Sequence, residues 1–167
     1  FMERASGVLM PVSSLPGPYG IGGFGWNAYD FVDFLASCKQ HYWQILPLTT
    51  TSYGDSPYQS FSARAGNPNF IDFAELIEAG YLEQRDIDGG RRQILDRAAE
   101  RFAADKPADF DDFIQANEDW LIPYCEFMTV KEECGLKAFW EWPAELRTRG
   151  EASAKVCADH PARMLYH

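Results

Sequence analysis

Two apolar runs set the strongest limit on what this chain can fold into. "GVLMP" (Gly7–Pro11) and "YWQILPL" (Tyr42–Leu48) are short, bounded by turn formers, and apolar without alternation. Runs of that kind predict strands buried on both faces, as in a parallel sheet covered by helices. Between them Ala28, Phe31, Leu35 and Cys38 recur at helical spacing, while Asp30, Asp33 and Ser37 mark a wet side. Asn27, with Asp30 three residues on, is the expected helix cap. Strand, helix and strand in succession make a βαβ unit. Two parallel strands alone leave open edges, so such a unit needs further neighbours.

From Glu75 to His167 no further strand signal appears, and no internal repeat. Asp72 with Glu75 predicts a capped helix start, and Gly80 a helix end. Ile94, Leu95, Ala98 and Phe102 form one apolar stripe; Leu121, Tyr124, Cys125 and Met128 form another. Pro123 implies a helix start or a kink, and Gly135 a stop. The expected fold class is therefore α/β: one βαβ unit followed by a mainly helical segment. Trp43, Trp140 and Trp142 are candidate aromatic platforms, although tryptophan in apolar runs is more often core.

The chain has 167 residues, 46% hydrophobic, 24% charged and 15% aromatic, the composition of a folded protein. Its net charge of −10 argues against nucleic acid or an anionic membrane surface as partner. No run approaches the roughly 18 apolar residues of a membrane span. "FMERASGVLM" is not expected to act as a signal peptide, since its apolar piece is short and flanked by acid and base. Phe1, preceding Met2, reads as a processing remnant. Cys38, Cys125, Cys134 and Cys157 form no CxxC pair, and a reduced, cytoplasmic state is expected. Cys157 with His160 supplies two potential metal ligands, too few for a site. His41 and His167 lack a partner motif and are read as structural. The acids Asp109, Asp111, Asp112, Glu132 and Glu133 are read as solvated helix-face charges.

"GIGGFG" matches G-x-G-x-x-G through Gly20, Gly22 and Gly25, the pattern of a dinucleotide-binding turn. That turn starts at a strand end, but here the segment from Val12 intervenes. The ribose-binding acid is also missing, because "LPLTTT" carries none before Asp55. A nucleotide-dependent oxidoreductase is thus a weak alternative, and a glycine loop folded over the sheet is the better reading.

"TSYGDSPYQSFSARAGNP" (Thr51–Pro68) follows the second apolar run. Loops at the carboxyl ends of parallel strands form the ligand-facing side of α/β folds. Sugars offer hydroxyls for hydrogen bonds and flat C–H faces for rings. Tyr53, Tyr58 and Phe61 supply rings. Ser56, Gln59, Ser60 and Asn67 supply donors and acceptors. Asp55 can accept hydroxyl protons or cap a turn with Ser56. Composition alone leaves both a sugar site and an ordinary structured loop open.

Taken together, "RASGVLMPVSSLPGPYGIGGFG", "YWQILPL" and "YGDSPYQSFSARAGNPNFID" resemble the amylomaltase family, the 4-α-glucanotransferases of glycoside hydrolase family 77, which includes the plant disproportionating enzymes. "FMTVKEECGLKAFWEWPAELR" is similar to the family's helical insertion. Arg64 and "LTTTS" depart from the family pattern. The resemblance implies the first βαβ part of a (β/α)8 TIM barrel, followed by a mainly α-helical inserted subdomain. It implies residues 1–52 as the start of the barrel, 53–72 as a substrate-binding loop, and 73–167 as the helical subdomain. The implied activity moves a segment of an α-1,4-glucan to the 4-hydroxyl of glucose or another glucan with retention. That chemistry uses two carboxyl groups about 5–5.5 Å apart. In the family the nucleophilic Asp, acid/base Glu and stabilising Asp lie on later barrel strands, so no catalytic residue is expected in this chain. By the same resemblance Ser56 and Tyr58 contact glucan near the cleaved bond, Tyr53 stacks on glucan farther away, and Asp55 and Gln59 organise the loop. Asn67 completes the expected substrate-binding set. Ser13 and Ser14 are expected to face the same cleft. No cofactor or metal is implied, and the expected ligands are α-1,4-glucans and maltooligosaccharides. A non-catalytic α-glucan-binding module is the alternative.

Overall fold

A computed structural model describes residues 4–167, apart from the Tyr53 side chain. The expectation for Phe1 lies outside the described residues. The chain forms two compact units, Phe1–Gly80 and Tyr81–His167.

In the first unit β1 (Gly7–Leu9) pairs in parallel with β2 (Tyr42–Gln44), in the register Gly7–Tyr42, Val8–Trp43 and Leu9–Gln44. The amide of Met10 extends the ladder to the Gln44 carbonyl at 2.9 Å. Both strands are shorter than their apolar runs, and neither is buried on both faces: Leu9 is 58% and Tyr42 66% exposed. Two strands cannot cover each other's faces, so the expected burial needs more sheet than the unit holds. Helix α1 (Trp26–Ser37) makes the crossover and buries Ala28 and Leu35. Its cap is Gly25 rather than Asn27, and no side chain caps it. The Asp72 carboxylate, from far along the chain, packs against Gly25, where a β-carbon would collide with it.

Helix α2 (Phe73–Glu78) starts as expected. The Asp72 Oδ1 accepts from the amides of Ala74 (2.8 Å) and Glu75 (3.4 Å), and the chain turns out of the helix at Gly80 with φ +82°. The dry seam of the unit joins Val12, Leu15 and Ala28 to Phe31, Trp43, Leu48 and Phe70. The glycine loop closes over this seam. A β-carbon at Gly22 would strike the carbonyl oxygens of Val12 and Leu15, and the Phe24 amide donates to the Phe70 carbonyl at 3.2 Å. Of the three motif glycines, Gly22 serves close backbone packing, Gly25 meets the Asp72 carboxylate and Gly20 takes a left-handed conformation, φ +87°.

The second unit is helical: α3 (Arg91–Ala104), α4 (Phe110–Asn117), α5 (Leu121–Glu133), α6 (Glu151–Asp159) and α7 (Pro161–Tyr166). No strand occurs in it. The stripes read from the sequence are buried at Ile94, Leu95 and Ala98 on α3 and at Tyr124, Cys125 and Met128 on α5. Pro123 sits in the first turn of α5, where its missing N–H costs nothing.

Glu132 overturns its expectation as a solvated charge. Its side chain is 6% exposed and gathers Arg92 (3.1 Å), Arg163 (3.7 Å), the Tyr166 hydroxyl (2.8 Å) and the His167 Nε2 (3.1 Å). His167, 3% exposed at its side chain, thus has a partner that sequence spacing could not reveal. Burial pushes the Glu132 carboxyl up, but the hydrogen bonds from His167 and Tyr166 and the nearby positive charges outweigh it and hold the carboxyl below its ordinary range. Glu133, nearly half exposed, pairs with Arg163 (3.1 Å) and with His160 (3.0 Å). Asp109, Asp111 and Asp112 are exposed, as read.

Candidate functional site

The loop after β2 is held open by its own backbone. Isolated antiparallel bridges join Thr49 to Gly66 and Thr51 to Ser60, and the Asn67 amide donates to the Leu48 carbonyl at 2.9 Å. Inside them, the Ser52 amide donates to the Gln59 carbonyl (2.9 Å) and the Gln59 amide to the Ser56 carbonyl (3.1 Å). Two consecutive residues, Gly54 (φ +67°) and Asp55 (φ +52°), take the left-handed conformation at the tip. Asp tolerates that region better than most residues, and its side chain is tied: Thr51 Oγ1 donates to Asp55 Oδ1 at 3.1 Å. On the returning limb, Ser62 Oγ accepts from the amides of Arg64 (3.1 Å) and Ala65 (3.0 Å).

An open cavity of about 330 Å³ lies against this loop. Pro11, Val12 and Ser13, directly after β1, and Leu46, Pro47 and Leu48, after β2, form one side; Thr51, Asp55, Pro57 and Asn67 come from the loop. The cavity is thus built from the chain that leaves the carboxyl ends of both strands, the face on which open and closed α/β sheets bind ligands. Its volume falls at the small end of ligand sites, about 300–1,000 Å³.

Asp55 and Asn67 line the cavity, and so does Ser13, whereas Ser14 is exposed outside the lining. Asn67 is buried, and its Oδ1 accepts from the Asn69 amide at 3.0 Å. Ser56 is half-buried and Tyr58 is 74% exposed; they flank the cavity-lining Pro57. Gln59 is exposed. The Tyr53 side chain lies outside the described residues; its backbone opens the 3-10 turn Tyr53–Asp55. Ser60 is exposed, its hydroxyl donating to the Ser62 carbonyl at 2.7 Å. Sequence reasoning missed Thr51 and Ser62 as the hydroxyls that fix the loop. Their signal was present, since Ser and Thr near turns bond to neighbouring backbone or Asx groups. It also missed Asn69 and Ile21 in the lining.

Among the described residues no group of three or more His, Cys, Asp or Glu is placed to hold a metal ion. His160 faces Glu133, and the Cys157 thiol points to the Glu126 carbonyl at 4.0 Å. No helix among the described residues is long and apolar enough to cross a membrane.

A polar loop and an open cavity at the carboxyl ends of two parallel strands mark an α/β unit with a ligand-facing side. The sequence profile of glycoside hydrolase family 77, described as 4-alpha-glucanotransferase, matches residues 10–167, and the chain belongs to that family. It is 47% identical, over 99% of its length, to a 4-alpha-glucanotransferase of Streptococcus pneumoniae serotype 4, and 38% identical, over 92%, to one of Thermus thermophilus. Its fold is similar to an amylomaltase from Streptococcus agalactiae in complex with acarbose, with a TM-score of 0.84 and 42% identity over 99% of this chain. The chain spans 37% of the length of the pneumococcal relative and of the solved structure, and 34% of the Thermus protein.

Proposed function

We propose that this chain is the N-terminal portion of a 4-α-glucanotransferase. The whole enzyme would transfer a segment of an α-1,4-glucan to the 4-hydroxyl of glucose or another glucan by retaining double displacement. Residues 1–52 start a (β/α)8 barrel, 53–72 form a substrate loop, and 73–167 an inserted helical subdomain. The observation that carries the reading is the family's "YGDSPYQS" string standing against an open cavity at the strands' carboxyl ends. The acarbose bound by the similar amylomaltase supports an α-glucan as ligand.

In this reading the chain binds and orients glucan and performs no bond cleavage. Ser56 and Tyr58 offer a hydroxyl and a ring with a polar tip. Asp55, Gln59 and Asn67 hold the loop in shape beside the sugar, and Tyr53 adds a stacking ring. Nucleophile, acid/base and stabilising carboxylates come from the remainder of the barrel. Maltooligosaccharides are the short substrates. Four free cysteines suit a reducing, cytoplasmic compartment.

Incubating the full-length protein with maltotriose tests the reading: longer and shorter oligomers are expected. The 167-residue chain alone should give none. Binding of maltooligosaccharides without redistribution by the full-length protein would instead make it a glucan-binding module. Tyr58→Ala in the full-length protein should cost roughly 1–3 kcal/mol of transition-state stabilisation, read from kcat/KM, if a ring contact and a hydrogen bond are lost together. Because Tyr58 is 74% exposed, its fold should be untouched, and an unchanged rate would remove it from the site.

A further inference from the structure

One hydrogen bond governs the direction of the segment after the loop tip. Gly54 and Asp55 are both left-handed, and Asp55 stands directly before Ser56. Glycine takes that conformation freely, whereas Asp takes it at some cost. Beyond Asp55 the chain has little freedom of its own. Pro57 locks its own φ and restricts Ser56 to the extended region, where it lies at φ −66° and ψ +123°. The Gln59 amide then returns to the Ser56 carbonyl at 3.1 Å. Ser56–Gln59 is thus a stiff segment, and Gly54–Asp55 is the joint on which it turns.

Thr51 sets this joint from outside the segment. Its backbone is anchored by the antiparallel bridge to Ser60, and the next amide, that of Ser52, donates to the Gln59 carbonyl at 2.9 Å. From there Thr51 Oγ1 donates to Asp55 Oδ1 at 3.1 Å, and the Asp55 amide adds a longer bond, 3.3 Å, to the Ser52 carbonyl. Thr51 is half-buried, and Thr51, Asp55 and Pro57 all line the cavity. Asp55 itself is exposed, so water competes for the Thr51 bond and its share in the stability of the fold is modest. Its larger consequence is local: it selects one setting of the joint.

We infer that Thr51 is a positioning residue for glucan transfer: through Asp55 it sets the aim of the Ser56–Tyr58 segment. The inference rests on the proposed reading of α-glucan as ligand and of Ser56 and Tyr58 as its contacts. A loop already in its binding conformation spares the ligand the cost of ordering it, and small misplacements of positioning groups are expensive in rate. The test uses full-length wild type, Thr51→Val, which keeps the branched shape and loses the hydroxyl, and Thr51→Ser, which keeps the hydroxyl. With maltotriose, kcat/KM should fall about threefold to tenfold in T51V, the scale of one hydrogen bond, and T51S should retain most of it. Made in a Tyr58→Ala background, T51V should cost far less, because the segment that Thr51 aims has lost its ring. An unchanged kcat/KM in T51V overturns the inference. So does a T51S variant as impaired as T51V, or a T51V loss of the same size with and without the Tyr58 ring, which marks a structural role. If wild type transfers no glucan, the proposed activity fails, and calorimetric binding of maltoheptaose decides the role of Thr51. Weaker binding by T51V than by wild type and T51S then sustains it; equal binding by all three, or binding by none, overturns it.

Discussion

The two units handle polarity and burial in opposite ways. In the first, the strands are three residues long, their outward side chains stay exposed, and α1 leaves Tyr29 (68%) and Phe34 (58%) in solvent. Its dry seam is narrow, and its polar groups collect in a loop beside a cavity. In the second, helices pack on one another, and a carboxylate is buried against two arginines and a tyrosine hydroxyl drawn from α3 and α7. The first unit is built like an edge, with apolar faces and open strand ends. The second meets the needs of its buried charge from within. The proposed ligand loop sits on the first unit and is stiffened by local hydrogen bonds.

That contrast can be broken by substitution. The largest effect is expected from Phe73→Ala. Phe73 is 2% exposed and packs on the Tyr19 ring at 5.3 Å, so truncation should cost about 3–5 kcal/mol. Hydrogen exchange should report it as lost protection in α1 and α2. Next, Glu132→Ala should cost about 3 kcal/mol, because it removes the buried acceptor that Arg92, Tyr166 and His167 share. Lost protection in α3, α5 and α7 would record it. If amides of both units respond alike to either change, the contrast does not hold.

Glu132 also sets a pH dependence. Its folded carboxyl lies below its ordinary range, so the stability it adds is fully present above the unfolded value and is lost as pH falls through the folded value. Acid titration of the second unit's protection should therefore steepen below the ordinary carboxylate range, and Glu132→Gln should flatten that slope. An identical slope would show that other acids dominate.

The smallest effect sharpens the picture of the loop. Asp55→Ala loses the Thr51 hydrogen bond and leaves alanine at φ +52°, for about 1–2 kcal/mol. Asp55→Gly loses the same bond but suits the backbone, so it should be milder. Chemical denaturation of the two variants gives the order, and Gly no milder than Ala would mean the conformation at Asp55 carries no strain.

Local sequence signals were legible wherever neighbouring residues settle the outcome. The Asp72 cap, the turn at Gly80 and the start of α5 at Pro123 all follow from short-range chemistry, and two unalternating apolar runs mark the strands that pair. The loop's position after a strand is itself a sequence fact, and the structure sets an open cavity beside it. Asn27 misled because the helix begins two residues earlier, at a glycine against which the distant Asp72 packs. Glu132 misled because adjacent Glu132 and Glu133 look alike in sequence, and only packing against α3 and α7 separates a buried carboxylate from an exposed one.

The amino-acid order by itself determined the βαβ beginning, the helical character after Glu75, and the family motif in the loop, since propensity, capping and spacing act over a few residues. Tertiary structure alone decided that Trp142 is core while Trp140 faces solvent, that His167 meets Glu132, and that Asp55 and Asn67 share one cavity. Those outcomes depend on which distant surfaces exclude water from a side chain, and nothing in its immediate neighbours encodes that.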